Sequence, residues 1–96
     1  MIEVWQAEWC PFSAQVRALL TERQVDYVAR QVAPRRPDRD AMREAVGSDE
    51  IPAVRLEDGE TLTGDTDAML ARLGECFPPI EATADHEAQA AAHEGL

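Results

Sequence analysis

Lysine and asparagine are both missing from this 96-residue chain, so all nine of its cations are arginines. That bias fits a GC-rich coding sequence as well as any functional demand. The shortage of positive charge has a clearer consequence. Nineteen acids against nine bases leave a net charge of −10, which argues against nucleic acid, where affinity rests on cations neutralising phosphates. No apolar run approaches the roughly 18–20 residues that span a bilayer, and Met1-Ile2-Glu3-Val4 lacks the basic-then-apolar order of a secretory leader. With only two cysteines, Cys10 and Cys76, a disulfide framework is not expected, and a cytoplasmic location follows as the default. His86 and His93 stand seven apart with no cysteines or acids spaced as ligands around them, so no metal site is expected.

What is present is one domain's worth of soluble chain, 45% hydrophobic and 29% charged. Met1 to Gln6, with Ile2 and Val4 on one face and Trp5 on the other, reads as a short strand buried on both faces. Phe12, Val16, Leu19 and Leu20 recur at helical spacing, predicting a helix from Pro11 to about Arg23. Val25–Val32 alternates and predicts a second strand, which completes a right-handed βαβ unit with parallel strands. A short helix from Pro37-Asp38 carries Ala41, Met42, Ala45 and Val46 and stops at Gly47. Ile51–Leu56 and Thr61–Thr63 form a hairpin around Asp58-Gly59, a pair preferred in type I′ turns. Gly64-Asp65-Thr66-Asp67 starts a last helix that ends at Leu73-Gly74. The expected order is β-α-β-α-β-β-α, an α/β fold with a four-stranded mixed sheet flanked by three helices. Residues 1–75 make the domain. Residues 75–96 hold five of the nineteen acids and none of the bases, and residues 76–96 read as a frayed acidic tail with a transient helix near Ala84–His93.

Trp9-Cys10-Pro11-Phe12-Ser13 places a thiol where the first strand gives way to the first helix. The first N–H groups of a helix lack intrahelical partners, and the dipole adds partial positive charge there; both favour thiolate, the nucleophilic form. Pro11 suits the first helical position. Ser13 is either a small polar residue in the first turn or a hydroxyl that donates to the thiolate. Trp9 serves as a site wall or in packing.

Cys10-Pro11-Phe12-Ser13, Ile51-Pro52 and Gly64-Asp65-Thr66-Asp67, in this order and spacing, resemble the thioredoxin superfamily. Among its members the chain is similar to glutaredoxins and to the N-terminal domains of glutathione S-transferases, over about residues 1–74. The first motif looks like the glutaredoxin Cys-Pro-aromatic-Cys with its second cysteine replaced by Ser13. Ile51-Pro52 matches the cis-proline position, which would leave the Ile51 backbone free to pair with an extended thiol substrate. Gly64, Asp65, Thr66 and Asp67 match the segment that, beyond starting a helix, would hold an α-carboxylate on N–H groups and an ammonium on acid. The resemblance implies thiol–disulfide exchange through Cys10, with Ser13 as the second catalytic-site residue. Trp9, Pro11, Phe12, Ile51 and Pro52 would contact the thiol substrate together with Gly64–Asp67. The co-substrate would be glutathione or another small thiol, the clients protein mixed disulfides, the protein a monomer, with no tightly bound cofactor and Cys76 a bystander. Two alternatives belong to other classes: a dimer carrying an iron–sulfur cluster through Cys10, and a non-catalytic binding or regulatory module. The chain departs from glutaredoxins in having no lysine shortly before the cysteine, where Gln6, Ala7 and Glu8 stand. It departs from the cluster-assembling monothiol type in having Pro11 rather than glycine. Arg17, Arg39 and Arg43 are the candidate partners for an anionic ligand.

Overall fold

A computed structural model describes residues 1–92. Its strands are β1 (Ile2–Gln6), β2 (Tyr27–Gln31), β3 (Ala53–Arg55) and β4 (Thr61–Leu62); its helices are α1 (Pro11–Glu22), α2 (Asp40–Val46), α3 (Thr66–Cys76) and α4 (Thr83–Ala92). The sheet order is β2-β1-β3-β4. β1 runs parallel to β2, with Ile2 opposite Tyr27 and Gln6 opposite Gln31, and antiparallel to β3, with Val4 opposite Val54. β3 and β4 form the hairpin. This is the expected mixed sheet of a thioredoxin-like α/β fold.

Side chains alternate across a strand, so the central strand feeds both faces. Ile2 and Val4 join Val54 and Leu56, Val16 and Leu20 of α1, and Met69 and Leu73 of α3 in the larger core. On the opposite face α2 contributes Met42 and Val46, which pack with Ala53, Trp5, Val32 and Ile51. The site therefore begins where β1 leaves the middle of the sheet.

Local differences from the sequence reading have physical causes. The second strand starts at Tyr27 rather than Val25 because α1 unwinds through a left-handed residue, Gln24 (φ 54°). The Val25 and Gln24 N–H groups turn back to the Leu20 and Thr21 carbonyls, a helix-ending arrangement usually given to glycine. The third strand is three residues long, with Ile51 and Pro52 in the connection before it. The hairpin is not type I′, which needs positive φ at both central residues. Only Gly59 is left-handed (φ 92°); its N–H donates to Leu56 O, and Leu56 N–H donates to Glu60 O. Gly47 does cap α2, at φ 74°. Gly74, by contrast, lies inside α3, which continues to Cys76 and stops at Phe77, whose backbone has left the helical region (φ −130°, ψ 81°) ahead of Pro78.

The segment read as a frayed tail thus holds the end of α3 and a fourth flanking helix. Thr83 is buried and makes two anchoring bonds: its Oγ1 accepts from Ile80 N–H and donates to the Glu22 carbonyl at the end of α1, both at 3.0 Å. His93, at the expected end of that helix, lies outside the described residues.

Candidate functional site

Cys10 is itself the N-cap of α1, in extended backbone (φ −83°, ψ 119°), with Pro11 as the first helical residue. Its Sγ accepts the Ser13 N–H at 3.4 Å, so the sulfur takes the place that a serine or aspartate oxygen usually fills. The first turn of α1 contains no acid, which leaves the dipole's positive end to the sulfur. Burial of Cys10 pushes its pKa up. That effect is outweighed by the Ser13 hydroxyl, the Ser13 and Phe12 N–H groups and the Arg17 guanidinium, and the thiol ends below its ordinary value. Ser13 is fully buried, and its Oγ makes no hydrogen bond of good geometry among the described residues. The sulfur is the acceptor its proton can lean toward.

Cys10 opens into a groove of about 620 Å³, walled by Trp9, Pro11 and Phe12 on one side, Ile51, Gly64 and Thr66 on another, and Pro34, Arg36, Arg39 and Glu50 beyond. Trp9 and Phe12 are 69% and 53% exposed, so both aromatics stand at the mouth rather than in the core. The Ile51–Pro52 peptide is cis. The Ile51 backbone groups make no hydrogen bond among the described residues. Pro52 is fully buried behind this wall.

Of the residues singled out from sequence, Trp9, Cys10, Pro11, Phe12, Ile51, Gly64 and Thr66 meet at one groove. Ser13 and Pro52 lie behind it. Asp65 is the N-cap of α3, and its carboxylate accepts Asp67 N–H at 3.3 Å; neither acid lines the groove.

The arginines divide by role. Arg17 reaches back from α1 to Gln6 Oε1, Ala7 O and, at 3.4 Å, Glu8 Oε2, and supplies the positive charge near the thiol that the residues before Cys10 lack. Arg39 is 5% exposed and spends all its nitrogens on carbonyls: Nε on Ala33 (2.8 Å), Nη1 on Asp49 (2.8 Å) and Nη2 on Pro34 (3.1 Å). It is scaffolding for the far wall. Arg43 binds Asp40 and Asp49 and does not line the groove. Arg36 does, paired with Asp49 (2.7 Å) and Glu50 (3.6 Å). Hydrogen bonding from Arg36, and from Arg43 behind it, outweighs burial and holds the Asp49 carboxyl below its usual range.

Pro34, Arg36 and Glu50 were not singled out from sequence as site residues. Pro34 and Glu50 sit in loops and Arg36 opens a short 3-10 helix (Arg36–Asp38); only the closed fold brings them to the Cys10 groove, and the adjacent arginines at 35 and 36 were the sole local sign. Cys76 lines a different cavity, of about 500 Å³, with Met1, Ile2, Leu56 and Phe77. Among the described residues no group of His, Cys, Asp and Glu is arranged to hold a metal ion, and no helix is long and apolar enough to cross a membrane.

Residues 2–61 match the family model described as Glutaredoxin. No curated protein matches in sequence. Among solved structures the chain is similar to a glutathione transferase homologue from Sulfitobacter with bound glutathione (22% identity, TM-score 0.69, 81% of this chain and 38% of that one). It is also similar to a glutathione S-transferase from Methylobacillus flagellatus with glutathione bound (22%, 0.66, 81% and 38%), and to one from Rhodospirillum rubrum (26%, 0.67, 81% and 34%). The chain spans little more than a third of the length of these neighbours.

Proposed function

The chain belongs to the glutaredoxin family, and from that premise we propose that it is a one-cysteine thiol–disulfide oxidoreductase acting on mixed disulfides between proteins and a small thiol. The observation that carries this reading is the setting of Cys10: a thiol with a lowered pKa, held at a helix N-terminus, with serine rather than cysteine at position 13. Two structural neighbours were solved with glutathione bound, which supports glutathione as the small thiol, RSH.

Cys10 thiolate attacks the small-thiol sulfur of protein–S–S–R. The Cys10–S–R bond forms, the original S–S bond breaks, and the protein leaves as a thiolate that takes a proton from water. A second RS⁻ then attacks the R sulfur of the adduct, RSSR departs and the Cys10 thiolate returns. Overall, protein–S–S–R and RSH give protein–SH and RSSR. Rate depends on the thiolate fraction and on the pKa of the leaving thiol. Ile51's free backbone groups suit pairing with an extended substrate. In this reading the apolar mouth at Trp9 and Phe12 packs against the small thiol, and Gly64 and Thr66, which line the groove at the start of α3, would receive its carboxylate on backbone N–H groups.

Incubation with oxidised glutathione followed by intact mass and peptide mapping should show one glutathione adduct, on Cys10. Turnover of a glutathionylated peptide should vanish in Cys10→Ser and persist in Cys76→Ser. A Cys10→Ser protein that turns over as fast as wild type would overturn the reading. A brown, anaerobically purified dimer without exchange activity would instead favour cluster carriage.

A further inference from the structure

Gln6 ends β1 with no exposed surface. A buried primary amide is costly unless both its ends are paired. Here Nε2 donates to Gln31 Oε1 at 3.0 Å, and Oε1 accepts from Arg17 Nη1. The assignment of O and N is forced by chemistry, since a guanidinium can only donate. The same Arg17 nitrogen lies 3.4 Å from Ala7 O, and that carbonyl also accepts the Cys10 N–H at 3.1 Å. Arg17 and the Cys10 backbone therefore converge on one oxygen. Exposed Glu8 approaches Arg17 from the solvent side at 3.4 Å, and a long arginine side chain would ordinarily extend to water.

We infer that Gln6 is a positioning residue for the Cys10 chemistry: its buried amide, steadied by Gln31, holds the Arg17 guanidinium beside the Cys10 end of α1. The inference rests on the reactive thiol of the proposed function. It assigns to a glutamine on the strand and an arginine within the helix the charge that a lysine before the cysteine would otherwise supply. Ser13 and Arg17 lie one turn apart on α1 and so present the hydroxyl and the cation on the same side of the helix.

The test is a double-variant cycle in a Cys76→Ser background, so that alkylation by iodoacetamide reports Cys10 alone. Gln6→Met and Arg17→Met should each slow alkylation at pH 7 by roughly two- to fivefold, the scale of a partly exposed charge interaction. The loss should come from an upward move of the pH midpoint, with the rate at high pH preserved. The double variant should be no slower than the slower single variant, because both remove one interaction. Should Gln6→Met fail to fold, Gln31→Leu releases the outer end of the amide and should move the midpoint the same way. A Gln6→Met midpoint equal to wild type, or losses that multiply in the double variant, would overturn the inference. Alkylation needs no disulfide substrate, so these outcomes are read independently of whether Cys10→Ser abolishes turnover.

Discussion

Replacing Arg39 by methionine should unfasten the far wall of the groove while leaving the thiol's own environment in place. The side chain is 5% exposed and donates to the Ala33, Pro34 and Asp49 carbonyls at 2.8–3.1 Å. Hydrogen bonds from charged groups contribute about 1.5–3 kcal/mol each. Pro34 borders an open groove and its carbonyl can rehydrate, so about 1 kcal/mol per bond is the better figure, or about 3 kcal/mol in all. Methionine retains most of the packing volume, which separates lost hydrogen bonding from cavity formation. With a urea m-value of roughly 1–1.5 kcal/mol/M for a chain of this size, the midpoint should fall by about 2–3 M with m unchanged. Arg39→Lys should recover only part of the loss, because one ammonium cannot reach three carbonyls that a planar fork serves. In exchange assays KM for a mixed disulfide should rise, since Pro34, Arg36 and Ile51 lose their support, while the pH midpoint of Cys10 alkylation stays put. A cost under about 1 kcal/mol, or full rescue by lysine, would refute the reasoning.

Ser13→Ala should raise the pH midpoint of Cys10 alkylation, because it removes the hydroxyl that helps lower the thiol's pKa. Its effect on urea stability should stay within about 1 kcal/mol, since the Oγ has no other partner among the described residues. Thr83→Val removes both anchoring bonds of Thr83 and should cost about 1–2 kcal/mol. Amide exchange should quicken across residues 80–92 with Cys10 alkylation unaltered. A thiol pKa that is lower folded than unfolded makes the unfolded state the more protonated one between the two values, so stability there rises with pH. The stability advantage of wild type over Cys10→Ser should therefore be complete above the unfolded thiol's pKa of about 8.5 and shrink as pH falls through the folded value. Chemical denaturation at a series of pH values would measure it.

Features written in local chemistry were legible in the sequence. Pro11 at a helix start, Gly47 at a helix end and Asp65 at an N-cap each follow from a few adjacent residues, and all three stand where expected. Val16 and Leu20 of α1, Met42 and Val46 of α2, and Met69 and Leu73 of α3 followed from spacing and are buried, whereas Phe12 and Ala41, expected on the same stripes, are exposed. What the sequence obscured is set by competition or by distance. Gly74 looked like a terminator, but the helix tolerates it and yields only at Pro78-Pro79. Asp58-Gly59 suggested one hairpin turn, and the pairing of Leu56 with Glu60 selected another. Thr83 gave no periodic signal, because its docking depends on the bare carbonyl at the end of α1 rather than on an apolar stripe. The far wall was hidden for the same reason: Arg36 and Glu50 are ordinary surface charges until Asp49 and the Arg39 fork draw their loops together. Arg17 was visible as a cation, yet only the register of β1 against β2 shows what holds it.

Cys10 and Cys76 line separate cavities, one beyond the C-terminal end of β1 and one beside its start. A five-residue strand is roughly 17 Å long, well past the ~7 Å within which two cysteine Cα atoms can be bridged. With Ser13 unable to form a disulfide, the exchange proposed for Cys10 would join it to a sulfur outside this sequence. For a two-cysteine protein, closing the internal bond releases two small thiols, so its oxidation state depends on their total concentration as well as on the ratio of disulfide to thiol. When a lone Cys10 exchanges with RSSR, one RSH is released for each molecule consumed, and total concentration cancels. At equilibrium, occupancy of Cys10 would report the bare ratio of RSSR to RSH, unmoved by dilution.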